Sequence, residues 1–183
     1  MNVSPKEYYI EEIEAQKNRW DYLRAREIAQ DALIKNVDDY RIYEELSDIY
    51  LYENDLHSAE EMIGIAQELH PESATGMYLN GYIAVAKWDF THGVEYLTKA
   101  NVLFPNNPEI LRNLWWAHVM LGQSFKGITM LRRALSLAPD DELIKEDLWV
   151  ALMSDGNTKE GEKYLEEAGR QDRIMEIRLL QWL

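Results

Sequence analysis

The residues of this sequence that could carry acid–base or metal chemistry are four histidines and a set of adjacent carboxylates. The histidines are His57, His70, His92 and His118; the carboxylates include Glu44-Glu45, Glu60-Glu61 and Glu166-Glu167. A zinc hydrolase needs two histidines on one helix face with a glutamate between them, and no such spacing joins these four. Adjacent carboxylates point about 100° apart on a helix, so they read as solvated faces and not as poised acid–base dyads. The nine glycines are scattered, which leaves no loop to cradle a phosphate, and no serine sits in a nucleophile elbow. His57, His70 and His92 read as surface or helix-end residues. His118 falls in a column with Tyr50, Ala84 and Leu152, which predicts a hydrogen-bonded interior histidine. The expectation is a non-enzyme with no catalytic, cofactor-binding or metal-binding residues.

Composition narrows the partners. The chain has 183 residues, 46% of them hydrophobic, enough to bury a core. Its 19 basic and 33 acidic residues leave a net charge of -14, which repels nucleic-acid backbones and anionic membranes. There is no cysteine, so disulfides, thiolate zinc sites and cysteine nucleophiles are excluded. The start, Met1 to Glu7, lacks a basic-then-apolar signal pattern, and no apolar run approaches the roughly 18 residues of a membrane span. A soluble, cytoplasmic protein is expected.

A single interval organises the rest. Pro71, Pro105 and Pro139 are 34 residues apart, and the same step links Ala32, Ala66, Ala100, Ala134 and Ala168. A second column, Ala25, Ala59, Gly93, Gly127 and Gly161, holds only small residues, as a close helix crossing requires. A third, Ala29, Ile63, Leu97, Leu131 and Leu165, is apolar and fills the gap between neighbouring hairpins. Asp21, Asp55, Asp89 and Asn157 are placed to cap the second helix of a unit; Ser73, Asn107 and Asp141 are placed to cap the first. Asn107-Pro108-Glu109 adds proline at the first helical position and an acid in the first turn. Each unit is therefore helix, turn, helix.

This pattern resembles the tetratricopeptide repeat family. The small–leucine–small–proline signature is carried by Leu46, Ser47, Tyr50, Ala59, Ile63, Ala66 and Pro71, and again by Gly81, Gly93, Leu97, Ala100 and Pro105. Trp115 and Trp149 depart from it where the family prefers a small residue, and Glu12, Ile13 and Gln16 depart in the first unit. The resemblance implies an all-α solenoid in a right-handed superhelix, with about five units plus a C-terminal capping helix and about eleven helices in total. The chain reads as one domain over 1–183, with repeats at about 6–39, 40–73, 74–107, 108–141 and 142–175 and a capping tail at 172–183. In that tail Ile174, Ile177, Leu180 and Trp182 are expected to pack on the last hairpin, leaving Leu179 and Leu183 exposed.

The resemblance also implies that the first helix of each repeat lines a concave face that binds peptides. Residues four apart share a helix face, and residues 34 apart lie on neighbouring first helices. Ile10, Glu44, Tyr78, Arg112 and Glu146 form one column, and Glu14, Asp48, Tyr82, Trp116 and Val150 another, with Asn113 beside Arg112. Lys17, Leu51, Val85, Val119 and Met153 form a third. Aromatics and arginine are enriched at binding hot spots, so Glu14, Glu44, Asp48, Tyr78, Tyr82, Arg112, Asn113 and Trp116 are the candidate partner-binding residues. Residues 40–73 hold nine acids against Arg41 alone, whereas residues 74–141 hold six bases and five acids. That asymmetry suits a partner segment that is apolar or aromatic in its middle and basic at one end. The two-lysine, two-asparagine, one-arginine clamp of chaperone-binding members is matched in no register, since Ile10, Glu14, Glu45, Thr75 and Leu79 stand where the first register would place it. The expected function is a protein-interaction adapter or scaffold. The alternatives are a chaperone for an export or assembly client, and a structural protein that self-assembles through its C-terminal tail.

Overall fold

The computed structural model describes residues 4–167 and Gly169. Among them are ten α-helices and no strand. The expected capping tail, and with it the eleventh helix and tail-mediated self-association, lies outside the described residues.

The chain divides into two compact units, residues 1–87 and 88–183. The first contains α1 (Pro5–Lys17), α2 (Tyr22–Ile34), α3 (Tyr40–Tyr52), α4 (Leu56–Leu69) and α5 (Ala74–Ala86). The second contains α6 (Phe90–Leu103), α7 (Pro108–Met120), α8 (Ser124–Leu137), α9 (Glu142–Ser154) and α10 (Thr158–Glu167). The even-numbered helices start at 22, 56, 90, 124 and 158, so the interval of the sequence is the interval of the helices.

The starts are fixed by side-chain caps. Asp21, Asp55 and Asp89 accept from the amides of Arg24, Ser58 and His92; Ser73 accepts from Gly76; Asn107 and Asp141 each accept from two amides of the following turn. Ser4 and Asp39 cap α1 and α3 in the same way. At α8 the interval breaks, because Gln123 makes no side-chain cap bond. At α10 the expected cap Asn157 donates its amide to Glu160 at 2.6 Å. The prolines fall two residues beyond the ends of α4, α6 and α8, where the chain must leave the helix.

Cores follow the columns. In the first unit Ile13, Ala25, Ala29, Ala32, Ile42 and Ile49 are fully buried, and Ala59, Ile63, Ala66 and Leu79 form a second layer. In the second, Leu111, Leu131, Ala134 and Leu148 are fully buried. Ala168 of the alanine column lies outside the described residues. The same crossing is filled in two ways, with a small residue where the family expects one and with a tryptophan where it does not. Ser47 on α3 faces Ala59 and donates its hydroxyl to that residue's carbonyl at 3.0 Å. Trp115 on α7 is matched by Gly127 on α8, where a Cβ would lie 2.9 Å from the indole.

Ion pairs join successive hairpins within the first unit. Arg26 reaches Glu53 at 2.6 Å, and one interval on Glu60 meets Lys87 at 2.7 Å, the same two positions with the charges exchanged.

Candidate partner-binding surface

In the first unit α3 packs against both α1 and α5, which sets the odd-numbered helices side by side. Their candidate residues are not equally available. Glu14 is exposed, whereas Glu44 is only 5% exposed, with its carboxylate under the start of α5 beside Ser73 and Gly76. One of its oxygens is buried without a hydrogen-bond partner. Burial pushes the Glu44 carboxyl up, partly offset by hydrogen bonds from the Ser73 hydroxyl and the Gly76 amide.

The acidic column is also less acidic than its composition implies. Lys17 of α1 bonds Glu45 at 2.7 Å and pairs with Asp48 as well. Burial pulls the Lys17 ammonium down, but the two carboxylates outweigh it and the net shift is upward. Glu45 is pushed up by its own burial, against the pull of Lys17. Lys17, placed by its column at the edge of the surface, is thus the residue that neutralises its acidic end. The pairing joins residues 28 and 31 apart, spacings that no 34-residue column displays.

On α5, Tyr78 and Tyr82 lie one turn apart with ring centroids at 6.4 Å, and Tyr82 is 38% exposed. In the second unit, α7 presents the position one interval later: Trp116 is 41% exposed, with Trp115 tucked behind it at 5.9 Å. Arg112 pairs with Asp147 of α9, which the candidate set omitted. Burial pushes the Asp147 carboxyl up, and the guanidinium only partly offsets this. Asn113 donates to the Glu109 carbonyl at 3.0 Å, a bond within its own helix. Val119 packs on the core of its unit and is half-buried, as are Leu51, Val85 and Met153.

His118 is an interior residue, 8% exposed, with Nδ1 3.1 Å from the Gln123 side-chain oxygen, as its column predicts. Burial lowers its basicity. Among the described residues no three His, Asp or Glu side chains converge to hold a metal ion, and no helix is long and apolar enough to cross a membrane.

Capped helical hairpins at a fixed interval, with small residues at the crossings and proline after the second helix, define the tetratricopeptide-repeat α-solenoid, and this chain has that fold. It is similar to MamA of Desulfovibrio magneticus RS-1, with 14% identity and a TM-score of 0.75 over 94% of this chain and 98% of that one. It is also similar to PilF of Pseudomonas aeruginosa, with 14% identity and a TM-score of 0.77 over 90% of this chain and 75% of that one. MamA of AMB-1 aligns at 17% identity and a TM-score of 0.66, covering 92% of both chains. The likeness is one of fold. No protein-family model and no curated protein matches the sequence.

Proposed function

We propose that this chain is a cytoplasmic adapter that holds a polypeptide segment of a partner protein against the odd-numbered helices. The observation that carries this reading is the pair of equivalent positions Tyr82 and Trp116. Each is an exposed aromatic on an odd-numbered helix, and each is backed by a second ring, Tyr78 or Trp115. Rings fixed in this way lose little freedom on binding, which is why such residues dominate interface energetics.

The eight candidate residues take different parts in this proposal. Tyr82 and Trp116 are the anchors. Tyr78 holds Tyr82 in place, and Asn113 and the partly exposed Arg112 edge the second unit's site. The exposed Glu14 supplies the carboxylate that favours a basic end of the partner, and Asp48 adds only what its pairing with Lys17 leaves over. Glu44 sits beneath the surface and sets the approach of α5 to α3.

A photo-crosslinking amino acid placed at position 82 or 116 tests the reading in cells. It should trap one discrete partner that the same probe at the outward-facing Glu61 of α4 does not. Identical adducts from all three positions would refute it.

A further inference from the structure

The residue just before the N-cap of each even-numbered helix, at positions 20, 54, 88, 122 and 156, adopts a left-handed backbone, with φ of 62°, 60°, 66°, 72° and 83°. That conformation suits glycine, tolerates asparagine and disfavours a bulky side chain. Gly122, Gly156 and Asn54 obey. Trp20 and Trp88 do not, and neither is compensated by burial, since they are 75% and 72% exposed. Backbone geometry and core packing both argue against tryptophan here, so its presence asks for a role at the surface.

In the first unit the indole belongs to a larger aromatic surface. Trp20 meets the ring of Tyr22 edge-on at 6.3 Å, and Tyr22 stacks on Tyr52 at 3.6 Å with the planes 7° apart. Tyr52 is 57% exposed. The surrounding charge is negative. Burial and then the Asp48 carboxylate push the Tyr22 phenol up against a smaller pull from Lys17. Asp21 and Asp55 flank the two turns, Lys17 and Arg26 are already held by Glu45, Asp48 and Glu53, and Arg19 beside Trp20 offsets only one of these acids. In the second unit Trp88 and Phe90 repeat the edge-on pair at 5.9 Å, again beside a capping aspartate, Asp89.

Exposed π faces in a negative field select a cation, and a planar guanidinium lies on such rings better than a compact ammonium. We propose that the turn surface formed by Trp20, Tyr22 and Tyr52 is a second docking site, which takes a polypeptide segment through an arginine side chain laid on its rings. It shares no residue with the Tyr82 and Trp116 anchors and does not depend on them. The other natural occupant of an exposed indole, a lipid interface, is disfavoured by the -14 net charge of the chain for anionic membranes.

The test uses the full chain with its indole nitrogens labelled, the Trp20 resonance being the one missing from Trp20→Gly. Three 12-residue peptides are titrated, alternating glycine with arginine, lysine or glutamate, followed by phosphatidylcholine vesicles. The Trp20 resonance should move with the arginine peptide, less with the lysine peptide and not with the glutamate one. Trp20→Gly, checked by its melting curve to be folded, should bind the arginine peptide about threefold more weakly or worse, the effect of losing one exposed cation–π contact. Tyr82→Ala/Trp116→Ala should leave that binding unchanged. A stationary Trp20 resonance, equal affinity in Trp20→Gly, loss only in the Tyr82/Trp116 variant, or movement with vesicles alone would each overturn the proposal.

Discussion

Trp115 and Gly127 are packed as a complementary pair: a Cβ on Gly127 would stand 2.9 Å from the indole Cδ1 and 3.1 Å from the Trp115 carbonyl. One hairpin of the first unit fills the same crossing with two small residues, Ser47 and Ala59, joined by a hydrogen bond from the serine hydroxyl. Glycine in a helix interior normally costs about 1 kcal/mol relative to alanine. At position 127 the order should reverse. Gly127→Ala is expected to destabilise by about 1–3 kcal/mol through overpacking. Trp115→Ser should itself cost about 3–5 kcal/mol through the cavity it leaves, but Gly127→Ala should cost less in that background. Urea unfolding of Gly127→Ala, Trp115→Ser and the double variant measures the coupling.

Trp20 gives a second reversal. Trp20→Gly and Trp20→Ala both remove the ring, but only glycine relieves the left-handed backbone at φ 62°. Trp20→Gly should therefore be the more stable of the two by about 1 kcal/mol, and the same ordering is expected at Trp88. Equal melting temperatures for the two variants would contradict the backbone argument.

Glu44 makes stability fall with rising pH. Its carboxyl is raised above the ordinary value of 4.5 by burial, so the folded chain binds more protons than the unfolded one in the window above that value. The contribution of this group is full below pH 4.5 and is lost as pH rises through the folded value. Glu44→Gln should abolish this dependence, so the variant gains on the wild type at pH 7 and loses that advantage near pH 4. Urea midpoints at the two pH values decide the matter.

The Arg112–Asp147 pair should behave as a half-buried one. Asp147 is 17% exposed and Arg112 38% exposed. Arg112→Ala leaves the carboxylate without its partner and should cost about 1–3 kcal/mol, below the figure for a fully buried pair. Arg112→Ala/Asp147→Asn should cost less than Arg112→Ala alone, as read from guanidinium unfolding.

What the sequence makes legible here is whatever repeats. The helix starts, most of the caps and the small-residue crossings all recur at one interval, so each occurrence supports the others. The surface is legible only as far as the direction in which a side chain leaves its helix. A column places Glu44 on the face of α3, but the start of α5, with Ser73 and Gly76, covers it. It places Arg112 beside the aromatics, but Asp147 of the next first helix holds it. Lys17 hides for another reason, since its partners Glu45 and Asp48 lie off the interval. The left-handed turn is itself a column at 20, 54, 88, 122 and 156, yet two tryptophans in it mask the glycine and asparagine that would announce it.

The central claim is that the exposed rings of the first helices hold the partner. Its most direct test is the affinity of the crosslinked partner, once identified, for wild type and for Tyr82→Ala/Trp116→Ala, measured by calorimetry alongside melting curves. Affinity should be at least tenfold weaker in the variant, the scale of about 1.4 kcal/mol expected for lost hot-spot side chains, with the melting temperature nearly unchanged. Unchanged affinity in a folded variant would contradict it.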